Sequence, residues 1–234
     1  DVVHELLNCV DGELTRFQVD HPLIQVDHPL NVIAFVEEVL PWIQCVRFHI
    51  SRVPRTMAKL LRILDRFVRN GTFPSELRKL VPWVILPACA LCDIPNPNLV
   101  GEVWSFLRQI APPDRYGFYA ECEKHAMKSH FLLESSIGKA RKGTKFFVDR
   151  LTKETKHIQG RIFLRWILSN PFVCSEHLLS HVELFADRIE PLADALKLSS
   201  SKLMLDILSY RLLLKFSNDS KSKVGEAFST PQWL

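Results

Sequence analysis

At 234 residues, 47% hydrophobic and 24% charged, the chain can bury an ample core and has an ordinary globular composition, with disorder expected only at its very end. A net charge of +4 conceals three blocks: residues 1–38 carry eight acids and one base, residues 52–79 eight bases and two acids, and residues 139–165 nine bases and two acids. Such asymmetry implies electrostatic work on surfaces without identifying a partner, and the scattered Cys9, Cys45, Cys89, Cys92, Cys122 and Cys174 point to buried free thiols in a reducing compartment instead of a secreted disulfide framework.

In chain order, the first distinctive pattern is a direct repeat, Val-Asp-His-Pro-Leu at 19–23 and again at 26–30, best read as a local duplication in an exposed connector. Over Asn31–Ile50 the apolar Val32, Val36, Val39, Ile43 and Val46 recur at helical spacing, with Asn31 as expected N-cap and Pro41 as a kink or restart. Arg55–Asn70 is the clearest amphipathic helix. Met57, Leu60, Leu61, Leu64 and Phe67 form its apolar stripe, and Asn70-Gly71 its stop. Arg55, Lys59, Arg62, Arg66 and Arg69 form a second stripe at the same spacing, a candidate partner-binding surface because arginine favours interfaces.

Another helix starts near Pro74 and runs into Val81–Cys92, an apolar run with two prolines that is about half the length a membrane span requires. Asp93–Asn98 reads as a loop. Helices are then expected over Leu99–Ile110, Pro113–Met127, Phe131–Leu151, Ile158–Ser169, Ser175–Ile189 and Ser200–Phe216. The last is apolar on more than one face, which predicts an interior position packed from both sides. Lys221–Leu234 reads as a polar linker entering a next helix, and the start at Asp1 without Met suggests a piece of a longer protein. No alternating strand pattern longer than a few residues is present. The expected fold is all-α, an irregular α-helical solenoid of nine to eleven stacked antiparallel helices.

Catalytic chemistry finds little support. Cys89, Cys92, Cys122 and His125 have zinc-like spacing, but one turn of an apolar helix produces the first pair. His177 and His181 stand four apart, with Leu178 where a metalloprotease places glutamate. Glycine-rich phosphate loops and nucleophile elbows are absent from the sequence, so no enzyme activity, cofactor or metal is expected.

The second basic block is the stronger surface candidate. Ile137, Ala140, Phe147 and Leu151 face a core, which leaves Lys139, Arg141, Lys142, Lys145, Lys153 and Lys156 towards solvent, continued by Arg161 and Arg165. This surface could neutralise several phosphates, although no exposed stacking aromatic is identified on it. A solvated helix face, an acidic partner protein, and nonspecific contact with RNA or DNA all remain open readings.

Between Leu99 and Phe216 an ordered set of residues carries a family likeness: Glu102-x-Trp104, Arg115-Tyr116-x-x-Tyr119, Ser129-His130 with Leu132 and Leu133, Arg150-Leu151-Thr152-Lys153-Glu154, Gly160-Arg161, Ser169-Asn170-Pro171, then Pro191, Ala195-Leu196-Lys197 and Leu208-x-Tyr210. In this order the chain resembles the family of large scaffold subunits of the THO complex, THO complex subunit 2. It departs from the family pattern at Phe131, at Trp166-Ile167-Leu168 and after Glu154, and residues 1–98 show no specific likeness. This divides the chain into a helical region 1–98, a family-like region 99–216 and a linker 217–234. The resemblance implies a non-enzymatic nuclear scaffold that assembles with other THO complex subunits, engages a DEAD-box RNA helicase and couples transcription to mRNA packaging and export. It also implies a position near a MIF4G-like helical module.

Overall fold

The computed structural model describes residues 2–20, 29–92, 96–152, 154–198 and 201–222. Among them the chain is all-α, with no strand. It divides into two compact units, residues 1–134 and 135–234, whose boundary falls inside one helix, Phe131–Arg150.

The first unit opens with α1 (Val2–Asp20), a helix that was not among those expected. Leu7, Val10, Leu14 and Phe17 recur in it at three and four residues and are buried. The helix expected over Asn31–Ile50 is broken into pieces: α2 (Pro29–Ala34), a π-helical turn at Phe35–Val39, α3 (Leu40–Val46) and a 3₁₀ segment at Arg47–Arg52. Asn31 is therefore inside the helix and is not its cap. The π-turn lies directly ahead of Pro41, and the Leu40 N–H donates to the Phe35 carbonyl five residues back. Proline has no N–H and crowds the carbonyl four residues before it, so widening the preceding turn relieves both defects without ending the helix.

The same device recurs further on. A π-turn at Val81–Ile85 joins the short α5 (Ser75–Arg78) to α6 (Leu86–Ala90) immediately ahead of Pro87. Between the two devices lies α4 (Pro54–Arg69), whose expected stripe Met57, Leu60, Leu61, Leu64 and Phe67 is wholly buried. The helix stops at Gly71, which takes the left-handed φ of 71° that glycine tolerates best. Phe17 of α1, Phe35 and Phe67 pack edge to face at centroid distances of 5.1, 5.4 and 6.5 Å, tying three segments into one core. The unit is completed by α7 (Pro97–Leu107), capped by the Asn96 side chain, and by α8 (Pro112–Lys124).

The second unit takes most of α9 (Phe131–Arg150), then α10 (Lys156–Ser169), α11 (Pro171–Leu184), α12 (Ile189–Leu198) and α13 (Lys202–Ser222). Pro171 starts α11, so this helix begins earlier than the expected Ser175 and ends earlier than Ile189. Phe147 of α9 stacks flat on Phe163 of α10 at 4.0 Å, inside a core shared with Val148, Ile167, Leu178, Leu192 and Met204. In α13 one face is buried (Leu203, Met204, Ile207, Tyr210), while Leu205, Leu213 and Leu214 are exposed. The expected packing of this helix from both sides is thus not what the described residues show. The repeated Val-Asp-His-Pro-Leu pair and the expected linker 217–234 lie largely outside the described residues.

Candidate functional site

The two basic stripes meet different surroundings. On α4 two of the cations, Lys59 and Arg62, meet acids of neighbouring helices. Lys59 is half-buried and donates to Asp11 of α1 at 2.7 Å and to Thr15 at 2.7 Å. Thr56 donates to the same Asp11 carboxylate at 2.7 Å. Burial pulls the Asp11 carboxyl upward, but the hydrogen bonds from Lys59 and Thr56 and the charges of Lys59 and Arg55 outweigh it and hold the group below the ordinary carboxylate range. Arg62 bridges to Glu102 of α7 at 3.0 Å, and Arg69 pairs along its own helix with Asp65 at 2.9 Å. Asp65 also accepts from Gln109. Arg66 is half-buried beside these groups, and Arg55 is exposed. Two of the five stripe cations, Lys59 and Arg62, therefore tie α4 to α1 and α7.

On α9 the cations are open. Lys139, Arg141, Lys142 and Lys145 are exposed and form no ion pair among the described residues. Ala140, Thr144, Phe147, Val148 and Leu151 take the buried side, and Ile137 is half-buried. Helical spacing puts Lys139, Lys142, Phe146 and Arg150 in one row, at steps of three, four and four. Phe146 is 45% exposed, and the Arg150 guanidinium lies over its ring at 3.8 Å. An exposed aromatic is thus part of this surface, contrary to the expectation from sequence. Phe146 follows Lys145 and precedes the buried Phe147, and a pair of adjacent phenylalanines does not reveal which one faces inward.

Beside that row, Gly143 receives the indole of Trp166 from α10 so closely that a Cβ there would overlap the ring. Arg165 lies over the same indole at 5.4 Å. Arg161 and Arg165 are exposed on α10. Lys156 is instead committed to Asp194 of α12 at 2.6 Å, where its hydrogen bond and charge, aided by Lys197, hold the Asp194 carboxyl low. Lys153 lies outside the described residues.

Metal chemistry finds no geometry here: among the described residues no group of three or more His, Cys, Asp or Glu could hold an ion. Cys89 and Cys122 are buried, and burial pushes both thiols far up, while His125 is exposed. Burial pushes the Cys174 thiol up to about 12, against the Thr144 hydroxyl 3.3 Å away. His181 is held below the ordinary histidine range, first by burial and then by the charge of Arg188. No helix among the described residues is long and apolar enough to cross a membrane.

Several of the ordered sequence landmarks lie at joints between helices. Arg115 is buried, donates to the Ile110 carbonyl at 2.8 Å and lies over the Trp104 and Tyr116 rings at 5.4 and 5.7 Å, which fixes the α7–α8 turn. Tyr119 is fully buried. Thr152 and Thr155 exchange backbone-to-hydroxyl bonds of 3.0 and 3.1 Å, and Thr155 donates to the Arg150 carbonyl at 2.8 Å, closing α9 and opening α10. Asn170 is buried between α10 and α11 and donates to Ser136 at 3.0 Å and Ser169 at 3.2 Å. Arg115, Thr152, Thr155 and Asn170 thus lie at corners between consecutive helices, whereas Tyr119 is buried within α8.

The family described as THO complex subunit 2 N-terminus matches residues 25–161, more than half of the chain. This chain belongs to the THO complex subunit 2 family. A second family, described as transcription- and export-related complex subunit, matches residues 164–234. The THO complex subunit 2 of Homo sapiens is 26% identical over 201 residues, covering 80% of this chain and 12% of that protein. The Arabidopsis thaliana THO complex subunit 2 is 26% identical over 151 residues, covering 64% of this chain and 8% of that protein. The chain thus spans about an eighth or less of these relatives. The family match begins well before Leu99, so the likeness extends through α2–α6, where the sequence showed no specific motif.

Proposed function

We propose that this chain is part of a non-enzymatic helical scaffold in the nucleus, a THO complex component that assembles with other THO subunits and engages a DEAD-box RNA helicase, coupling transcription to mRNA packaging and export. The observation that carries the reading is the pair of consecutive family matches over 25–161 and 164–234, laid on an all-helical chain. The geometry supports it, because the family landmarks hold helix corners while polar surface is left on the outside. We place this stretch on the amino-terminal side of the family's MIF4G-like helical module. Affinity purification of the protein from its source cells under gentle conditions tests the reading. Co-purification of THO subunits and a DEAD-box ATPase is the expected result, and their joint absence overturns it.

A second reading, direct contact with RNA through a basic surface, is favoured by one observation: the cations at 139, 141, 142 and 145 are exposed and form no ion pair among the described residues. It adds to the scaffold reading without replacing it.

A further inference from the structure

We infer that the outer row of α9 is a stacking platform for single-stranded RNA, in which Phe146 with Arg150 takes a base and Lys139 and Lys142 take the flanking phosphates. This rests on the RNA-contact reading above and adds to it the strand class and the group that holds the base.

The sequence from Ser135 to Val148 contains four cations and no acid, so nothing within that run offsets the charge until Asp149. Within α9 the Lys139, Lys142, Phe146 and Arg150 side chains lie along a single helix row of about 16 Å, as the rise per residue requires. A solvated helix face needs its cations but not an aromatic at the centre of them. Phe146 leaves 45% of its surface in water while its neighbour Phe147 is 1% exposed, so the core has no use for the former. Arg150, 3.8 Å above the ring centroid, covers one face of the ring and adds a guanidinium to the stack. Arg–aromatic layers of this kind are a common way for proteins to hold unstacked bases.

A second layer adjoins the first. Gly143, in the turn between Lys139 and Phe146, admits the Trp166 indole against α9, and Arg165 covers that indole at 5.4 Å. The platform is thus bordered by another Arg–aromatic pair, and the absent Cβ at 143 is what lets Trp166 sit there. Bases in a duplex are already stacked and could use only the cations, which is why the arrangement selects a single strand. An acidic protein would likewise use the cations and find no base-sized surface to fill at Phe146.

The test is fluorescence anisotropy of the intact protein with a short fluorescein-labelled oligouridylate, titrated over a range of salt concentrations. Circular dichroism melting of each variant verifies its fold. Phe146→Ala is expected to weaken binding about tenfold at fixed salt, and Phe146→Trp to retain it. Lys139→Gln with Lys142→Gln is expected to flatten the slope of log affinity against log salt by about 1.4, at roughly 0.7 for each phosphate that is no longer neutralised. If the double lysine variant flattens the slope while Phe146→Ala binds like the parent, phosphate binding survives and the stacking platform is overturned. A polyglutamate peptide that displaces the RNA with the same sensitivity to Phe146→Ala also overturns it, in favour of an acidic protein partner.

Discussion

Helices α4 and α9 carry almost the same outward message in sequence and opposite ones in space. Each has an apolar stripe with a fully buried phenylalanine, Phe67 in one and Phe147 in the other, and each has a row of cations at helical spacing. On α4 two cations of the row, Lys59 and Arg62, meet acids supplied by neighbours, Asp11 on α1 and Glu102 on α7, so part of its charge joins helices. On α9 the row meets no acidic partner among the described residues, and an aromatic stands among the cations. A run of basic residues is therefore a statement about potential, and the neighbouring helices decide whether the charge works inside the fold or outside it.

Four measurements would sharpen or break this contrast. The largest effect is expected at the shared feature: Phe67→Ala and Phe147→Ala should each cost about 3–5 kcal/mol by chemical denaturation, because both leave cavities in packed cores. A cost at Phe147 far below that at Phe67 would mean that α9 is not anchored like α4. Next is the half-buried pair on α4. Asp11→Asn should cost about 1.5 kcal/mol near neutral pH, as a charge-assisted hydrogen bond is weakened in a partly exposed site.

The pH dependence of that difference has a definite sign. The Asp11 carboxyl is held lower in the fold than in the unfolded chain, so its stabilisation is complete above the unfolded value of about 4 and is lost as pH falls through the folded one. Parent and Asp11→Asn melting curves should converge in acid; a gap that persists below the folded value would contradict the ion-pair account. A smaller effect is expected from the exposed bridge, where Arg62→Gln should lower stability by at most about 1 kcal/mol and less in high salt. The smallest is on the open row. Lys139→Gln with Lys142→Gln should leave the unfolding free energy unchanged to within about 0.5 kcal/mol, and a larger loss would show that these lysines serve the fold after all.

The same contrast explains which parts of the site were legible beforehand. The stripe Met57–Phe67, the stop at Gly71, and the division of α9 into a buried side and a basic side all follow from a period of 3.6 residues and from local turn chemistry. Asn31 as a cap was misplaced because proline two residues earlier already starts the helix, and the break at Pro41 took the form of a widened turn. Phe146 was overlooked because two adjacent phenylalanines carry the same hydrophobic signal, and the choice between them depends on where Phe163 lies. The second apolar face of α13 predicted burial on both sides, yet exposure depends on which helices are there to cover it.

By itself the sequence determined the helical class, the positions of most corners and the family, because periodicity, proline, glycine and a handful of corner residues act over a few positions of chain. Tertiary structure alone decided that Lys59 and Arg62 are structural, that Lys139 and Lys142 are open, and that Gly143 gives its space to Trp166. The physical reason is range. A helix period is set by hydrogen bonds four residues apart, whereas the availability of a charge depends on an acid that lies 48 residues from Lys59 in the chain and 2.7 Å away in space.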